Sequence, residues 1–237
     1  VLRREDPPTA PRATVRGRRD ELVKVVLRVE AAKGAEFADD DEVPRDHEGT
    51  PIKNGYFAIH KDANADRTIT NSIAANVFER SIGYAARLIG QAAVLGEIIL
   101  DADEELRGSG RDLPDCYHSV RVALPRAFRN AVGPWLDPAP VRHTAAYARL
   151  LARRRARGLE TEPARVVACW STLVMGDLNA VDFVQIAHTN ALRSGGCMSD
   201  EAALTYTRPL PDPPDKVYES VVVDDYNAIA VVKLGAT

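Results

Sequence analysis

No stretch of this chain is long and apolar enough to span a membrane: the longest mostly apolar run, Ile82 to Leu100, is interrupted by Arg87, Gln91 and Glu97. The N-terminus lacks the apolar core of a secretory signal. Cysteine is scarce, and Cys116, Cys169 and Cys197 match neither a disulfide framework nor a zinc spacing. A reducing compartment is expected on that ground, so the chain is read as intracellular, in cytoplasm or nucleus, and not secreted. His60, His118, His143 and His188 form no zinc pattern, and no Ser-His-Asp arrangement has a local signature, so nothing specific supports a hydrolase. An excess of positive charge is missing too. The net charge of −3, taken as a sum, argues against a dedicated nucleic-acid binder.

What is present is an ordinary globular composition, 45% hydrophobic and 27% charged over 237 residues, enough for one large or two small domains with a proper core. The charge is unevenly placed. Arg3, Arg4, Arg12, Arg16, Arg18, Arg19, Lys24 and Arg28 crowd the N-terminus, and Arg149, Arg153, Arg154, Arg155 and Arg157 form a second cluster. Each cluster is either a phosphate-binding surface acting through counterion release or a solvated helix face.

Taken in order, residues 1–50 read as a weakly ordered leader, in which Pro7, Pro8 and Pro11 and the acidic run Asp39 to Glu42 bracket one short element between Glu21 and Ala32. Gly55 to Lys61 then reads as a strand, Asp62 to Asp66 as a turn and Arg67 to Thr70 as the returning strand, a hairpin with Lys61 and Arg67 near its tip. Asn76 to Leu100 has apolar residues at helical spacing and is expected to be helical, with Gly108-Ser109-Gly110 as a breaker. The run from Arg111 to Val122 alternates like a strand toward its end, placing Asp112 at a strand terminus with Asp115 and Tyr117 near it. A helix is expected from Thr144 to Gly158, a short buried strand at Val166 to Trp170, and an amphipathic helix from Ala180 to Leu192 with Val181, Val184, Ala187, His188 and Ala191 near one face. Gly195-Gly196 ends that helix, and Pro209 to Asp215 is an extended connector.

The connector leads to Val221-Val-Val-Asp-Asp-Tyr-Asn-Ala-Ile-Ala-Val-Val232. Two β-branched runs flank Asp224-Asp225, which suits a buried hairpin with two carboxylates at its tip. Adjacent buried carboxylates need compensation, most often by a divalent cation. The same pair also suits a water-exposed Asp-rich turn.

Several stretches, in order, resemble the reverse transcriptase family over about residues 52 to 232. Asp112-Leu-Pro-Asp-Cys-Tyr-His-Ser-Val-Arg-Val resembles the first palm motif of that family: an Asp, a second Asp three residues on, and an aromatic five residues on. Leu173-Val-Met-Gly-Asp-Leu-Asn-Ala-Val-Asp-Phe-Val-Gln185 is similar to its second, with Gly176 after an apolar strand and Gln185 nine residues later. Val223-Asp-Asp225 is similar to its Asp-Asp hairpin. Phe57-Ala-Ile-His-Lys61, Arg67 and Asn76 resemble the fingers hairpin and the segment behind it.

The resemblance implies an α+β fold, the fingers and palm of a polymerase right hand, with an antiparallel palm sheet carrying the Asp-Asp hairpin and backed by helices. Fingers would be residues 51–84 and 124–175, and palm residues 85–123 and 176–237. It implies an RNA-directed DNA polymerase of a retrotransposon, joining a dNTP to the primer 3′-hydroxyl of a template-primer through two Mg²⁺ or Mn²⁺ ions. Asp112 and Asp224 would bridge the metals, Asp225 would assist, and the Leu113 carbonyl would add an oxygen. Asp115 and Cys116 backbone groups would meet the triphosphate, Tyr117 would lie under the sugar and favour deoxynucleotides, and Lys61 and Arg67 would clamp the β- and γ-phosphates. Gly176 and Gln185 would shape the pocket for base and template. No membrane association is implied.

The chain departs from the family pattern in several places. Asn71, Ile73 and Ala74 stand where the family usually has an acid, an Arg and often a Pro; Gly108-Ser-Gly-Arg111 precedes the first Asp in place of an apolar strand. Ala180-Val181 replaces Ser-Pro, Asp177 and Asp182 are unexpected, and Val222 occupies the usual Tyr place. These changes leave the three metal-site Asp residues and touch the template and nucleotide grip. Too few residues follow the hairpin for a thumb or ribonuclease H, so a fragment of a longer polyprotein, with the thumb elsewhere in it, is expected. The competing readings are a decayed, inactive relic that at most binds nucleic acid, and an unrelated α+β binding module whose Asp-Asp turn is only a turn.

Overall fold

A computed structural model describes residues 8–63 and 65–236. Arg3, Arg4 and Pro7 of the N-terminal segment and Asn64 of the hairpin turn lie outside the described residues. In chain order the regular elements are α1 (Arg19–Ala31), β1 (Ala35–Ala38), β2 (Gly55–Asp62), β3 (Ala65–Asn71), α2 (Ile73–Asn76), β4 (Glu104–Asp112) and α3 (Cys116–Ser119). They continue with α4 (Leu124–Arg129), β5 (Ala131–Leu136), α5 (Ala145–Ala156), β6 (Val166–Trp170), α6 (Ala180–Ser194), β7 (Val217–Val222) and β8 (Asp225–Lys233). This is a mixed α and β fold whose sheets are all antiparallel. None of its described helices is long and apolar enough to cross a membrane. The chain divides into two compact units, residues 1–81 with 117–180 and residues 82–116 with 181–237.

The first unit is built on a three-stranded sheet in the order β1-β6-β5. All five residues of β6 are buried, as a central strand covered on both faces requires. Leu22 and Val26 of α1 and Tyr147 and Leu150 of α5 join Phe37, Val166 and Trp170 in one apolar cluster. Fully burying each such large side chain contributes about 1.5–3 kcal/mol. Thr144 caps α5, its Oγ1 accepting the Tyr147 N–H at 3.2 Å. The hairpin β2-β3 pairs Tyr56 with Thr70 and Ile59 with Arg67, with a bulge after His60.

Two expectations fail in this unit. The segment read as a weakly ordered leader carries α1 and β1, and β1 pairs along its length with β6, Phe37 opposite Ala168. Its apolar positions, Leu22, Val26, Ala35 and Phe37, are buried, and that outweighs the Pro and acidic content around them. The arginine cluster of α5 is mostly ion-paired; Arg155 is exposed with no ion pair among the described residues. Arg149 pairs with Glu36 (2.7 Å), Arg153 with Glu42 (2.8 Å), Arg157 with Asp39 (2.7 Å), and Arg154 with Asp39 as well. Burial pushes the Asp39 carboxyl up, but the Arg157 and Arg154 guanidiniums together hold it below the usual carboxylate range. The acidic run after β1 is therefore the counter-charge of α5.

The second unit has its own three-stranded sheet, β4-β8-β7, with β8 central. β4 pairs with β8 from Glu104 opposite Lys233 to Asp112 opposite Asp225. β7 returns against β8 through the two-residue turn Val223-Asp224. The expected breaker Gly108-Ser109-Gly110 lies inside β4: on this edge strand the backbone ladder with Ala228 and Ile229 decides, and the glycines need no side-chain packing.

The helix expected from Asn76 to Leu100 is absent. One turn (α2) ends at Asn76, and the rest holds only short 3₁₀ turns at Ala85–Arg87 and Ala92–Glu97. Tertiary bonds replace the helical ladder there. The Gly90 N–H donates to the Val221 carbonyl at 2.9 Å, and a Cβ on Gly90 would stand 2.6 Å from the Ser220 Cβ, so only glycine fits this contact with β7. Elsewhere Ala180–Ser194 is helical as its spacing implies, but a different face is buried. Asp182, Val184, Gln185 and Thr189 point inward, while Val181, Phe183 and Ala191 are exposed.

Candidate active site

The end of the β4-β8-β7 sheet gathers acidic residues from distant parts of the chain. β4 stops at Asp112, and its last partner is Asp225, the first residue of β8. Residues opposed in an antiparallel pair have Cα atoms about 4.5–5.5 Å apart and side chains on one face, so these carboxylates repel. The contact runs one residue further, since the Leu113 N–H donates to the Asp224 carbonyl at 2.9 Å. Asp224 lies in the turn itself. The thiol of Cys116, buried just beyond, is pushed up first by that burial and then by the Asp224 and Asp112 charges.

The turn is held in an unusual backbone conformation. Val223 has φ of 60°, and of the two turn residues only Val223 is positive, the φ pattern of a type II′ turn, where glycine is usual. A β-branched residue there is strained, at a cost of about 1–3 kcal/mol, and persists only where its surroundings impose it. Helix α6 does so from both sides. The Val223 N–H donates to Gln185 Oε1 at 2.8 Å, and the Val223 carbonyl lies 2.9 Å from His188 Nδ1. A carbonyl only accepts, so Nδ1 carries the proton. Gln185 and His188 are three residues apart and share a helix face.

Gln185 is fully buried, and its amide also donates to the Val221 carbonyl (3.0 Å) and the Leu88 carbonyl (3.3 Å). Its hydrogen-bonding capacity is taken up by this chain's own backbone. It therefore positions the hairpin. The two unexpected acids are likewise structural. Asp182 accepts the Ala85 N–H, and Asp177 pairs with Arg126 while its Oδ1 accepts the Asn179 N–H at 2.9 Å.

The expected site residues fall in both units. Asp112, Leu113, Asp115, Gln185, Asp224 and Asp225 belong to the second, and Lys61, Arg67, Tyr117 and Gly176 to the first. Asp115 adopts φ of 51° in the turn between β4 and α3. Lys61 and Arg67 are exposed on the β2-β3 hairpin, where His60 and Asp66 face each other at 3.5 Å. Tyr117 is half-buried in α3. Gly176 has φ of 101°, and a Cβ there would stand 2.8 Å from the Thr70 carbonyl oxygen, so the position admits glycine alone. Its carbonyl accepts from Asn76 Nδ2 at 2.9 Å, tying this glycine to α2. Sequence reasoning missed the roles of His188 and Val223. The three-residue spacing of Gln185 and His188 was the available signal, but nothing local shows which backbone they meet.

The donor set at the sheet end is oxygen only, which suits a hard cation such as Mg²⁺. Among the described residues no cation pairs with Asp112, Asp224 or Asp225, and no three His, Cys, Asp or Glu side chains are gathered closely enough to hold a metal ion. The backbone thus brings the three carboxylates together at one end of the sheet without converging them on one point.

Neither a protein-family model nor a curated protein matches this chain. Among solved structures, it is similar to the one described as the foamy viral protease-reverse transcriptase dRH in complex with double-stranded DNA, at 12% identity and a TM-score of 0.50. The match covers 94% of this chain and 28% of that one, so the chain spans little more than a quarter of the matched chain's length. At this identity the likeness is one of fold: a mixed α and β, reverse-transcriptase-like arrangement with antiparallel sheets.

Proposed function

We propose that this chain is the fingers and palm portion of an RNA-directed DNA polymerase from a retroelement, extending a primer 3′-hydroxyl with dNTPs on an RNA template. The observation that carries the reading is the register of the second unit, in which Asp112 opposes Asp225 and contacts the turn bearing Asp224. Asp112 and Asp225 are exposed there and not buried as the sequence implied, but like charges directly opposite each other still destabilise a sheet, and a cation would relieve that repulsion.

In this reading Asp112 and Asp224 hold Mg²⁺ or Mn²⁺, with Asp225 and the Leu113 carbonyl completing the oxygen ligands. The ions supply charge neutralisation for the triphosphate and activation of the 3′-hydroxyl. Gln185 and His188 fix the Val223-Asp224 turn, so that the Asp224 carboxylate is presented without reorganisation. The assignments of Lys61 and Arg67 to the β- and γ-phosphates, of the Asp115 and Cys116 backbone to the triphosphate, of Tyr117 to the sugar and of Gly176 to the template side rest on the motif resemblance and belong to the same proposal. So do the intracellular setting and a thumb supplied by further sequence of a longer polyprotein.

Primer extension on an RNA template with Mg²⁺ or Mn²⁺ tests the reading. Wild-type chain is expected to extend the primer, and Asp224→Asn and Asp112→Asn to abolish extension. Extension at the wild-type rate by either variant would remove the carboxylates from the chemistry. A wild-type chain that binds template-primer without extending it would identify the inactive relic.

A further inference from the structure

The first unit contains a recess of about 490 Å³ that none of the proposed polymerase residues uses. Its wall comes from the chain leading into α1, the segment ahead of β2, and Gly133 and Pro134 of β5. Arg12, Arg18, Arg19 and Lys53 stand on that wall, and among the described residues no Asp or Glu lines it. Arg18 is paired with Asp20 and Glu21, and Arg19 donates to the Trp135 carbonyl at 3.0 Å. Arg12 and Lys53 have no ion pair among the described residues.

Lys53 is the more informative cation. Its Nζ lies 5.0 Å from the centroid of the Trp135 ring, and Arg165 stacks on the same ring at 4.6 Å. Burial, then repulsion from Arg165, lowers its proton affinity below that of an ordinary lysine, against an opposing pull from Asp40, which pairs with Arg165 at 3.0 Å. An ammonium partly removed from water and without an ion pair of its own is stabilised by an anion in the adjoining space. Val15 and Leu22 add apolar surface to the same recess. Its volume lies in the small-ligand range, enough for a nucleotide unit of one strand and too small for a duplex.

We propose that this recess binds the backbone of a single nucleic-acid strand, with Arg12 and Lys53 meeting phosphates and Val15 and Leu22 receiving sugar or base. The proposal rests on the reading of the chain as one that handles polynucleotides, but it requires no catalysis. A positively charged groove that tracks the backbone is the general electrostatic means of holding single strands without sequence preference.

The test is fluorescence anisotropy of labelled oligothymidylate and oligouridylate with the full chain over a range of salt concentrations. Arg12→Ala/Lys53→Ala is expected to weaken binding and to reduce the slope of log K against log salt by about 1.4, about 0.7 for each single-strand phosphate that is no longer neutralised. Lys53→Gln alone is expected to remove about half of that. The charge-preserving pair Arg12→Lys/Lys53→Arg is expected to keep the wild-type slope. An unchanged slope in Lys53→Gln or in the folded alanine pair overturns the proposal. So does a wild-type chain that binds no oligonucleotide, or one that binds inorganic tripolyphosphate as tightly as the oligonucleotide. Asp224→Asn is expected to bind as wild type while losing extension. Failure of the polymerase reading therefore appears in extension and leaves the slope difference standing, whereas failure of the groove appears in the slope whatever extension shows.

Discussion

Replacing Gln185 with Leu isolates the contribution of α6 to the hairpin. The two side chains are similar in size, so the core volume is nearly kept and the hydrogen bonds are removed. The Val221 carbonyl keeps a partner, because the Gly90 N–H also donates to it at 2.9 Å. The Val223 N–H loses its acceptor at 2.8 Å, and the Leu88 carbonyl loses a donor at 3.3 Å. Leaving a buried polar group unpaired costs about 1–3 kcal/mol, and the hairpin tip is half-buried, so a combined cost of about 2 kcal/mol is expected. The positive φ of Val223 then has one clamp, His188, in place of two. Native-state hydrogen exchange reads this directly: a loss of about 2 kcal/mol lowers protection of the Val223 amide roughly 30-fold. Adding Val223→Gly relieves the strained φ and is expected to restore about 1 kcal/mol. Val223 protection within about twofold of wild type in Gln185→Leu would refute the clamp.

Other expectations follow from the same geometry. Gly176→Ala sets a Cβ 2.8 Å from the Thr70 carbonyl at φ of 101°, and should destabilise the first unit by about 2–4 kcal/mol in thermal unfolding, with the exchange of the β4-β8-β7 amides unaltered. Asp39 has a folded pKa below its unfolded value, so its stabilising contribution is present above the unfolded value near pH 4 and is lost as pH falls through the folded value. Urea midpoints of wild type should therefore fall below about pH 4 more steeply than those of Asp39→Asn, which starts lower because Arg154 loses its carboxylate; parallel curves would exclude this carboxyl as the titrating group.

The elements legible in the sequence are those whose signals are local. The apolar run Val166–Trp170 is β6 because a short β-branched segment between turn residues has few other fates. Thr144 before an Ala- and Arg-rich run begins α5, and Gly195-Gly196 follows the end of α6. The Tyr56-to-Thr70 hairpin needed only alternation around polar residues, and so did the second hairpin, although its turn is Val223-Asp224, one residue ahead of the expected Asp224-Asp225 tip. Local order also put Asp112 at a strand terminus, although on the wrong side: the strand precedes it.

Partners were what the sequence left open. Ile82 to Leu100 has helical composition, yet Gly90 is packed against Ser220 and bonded to Val221, residues that lie far along the chain, and so no continuous helix forms. Composition in residues 1–50 suggested a leader because nothing local shows that Phe37 will pair beside Ala168 or that Asp39 will receive Arg154 and Arg157. The same holds for α6: hydropathy favoured the face with Val181 and Ala191, but Gln185 and Asp182 turn inward because buried backbone groups at Val223 and Ala85 need their oxygens. Sequence alone thus determined the short-range elements and which acidic residues were candidates. Only the tertiary structure decided that Asp112 and Asp225 stand opposite each other, that Gln185 holds the turn bearing Asp224, and that Arg149, Arg153, Arg154 and Arg157 are ion-paired while Arg12 and Lys53 are not, because each depends on a partner too distant in the chain for any local pattern to specify.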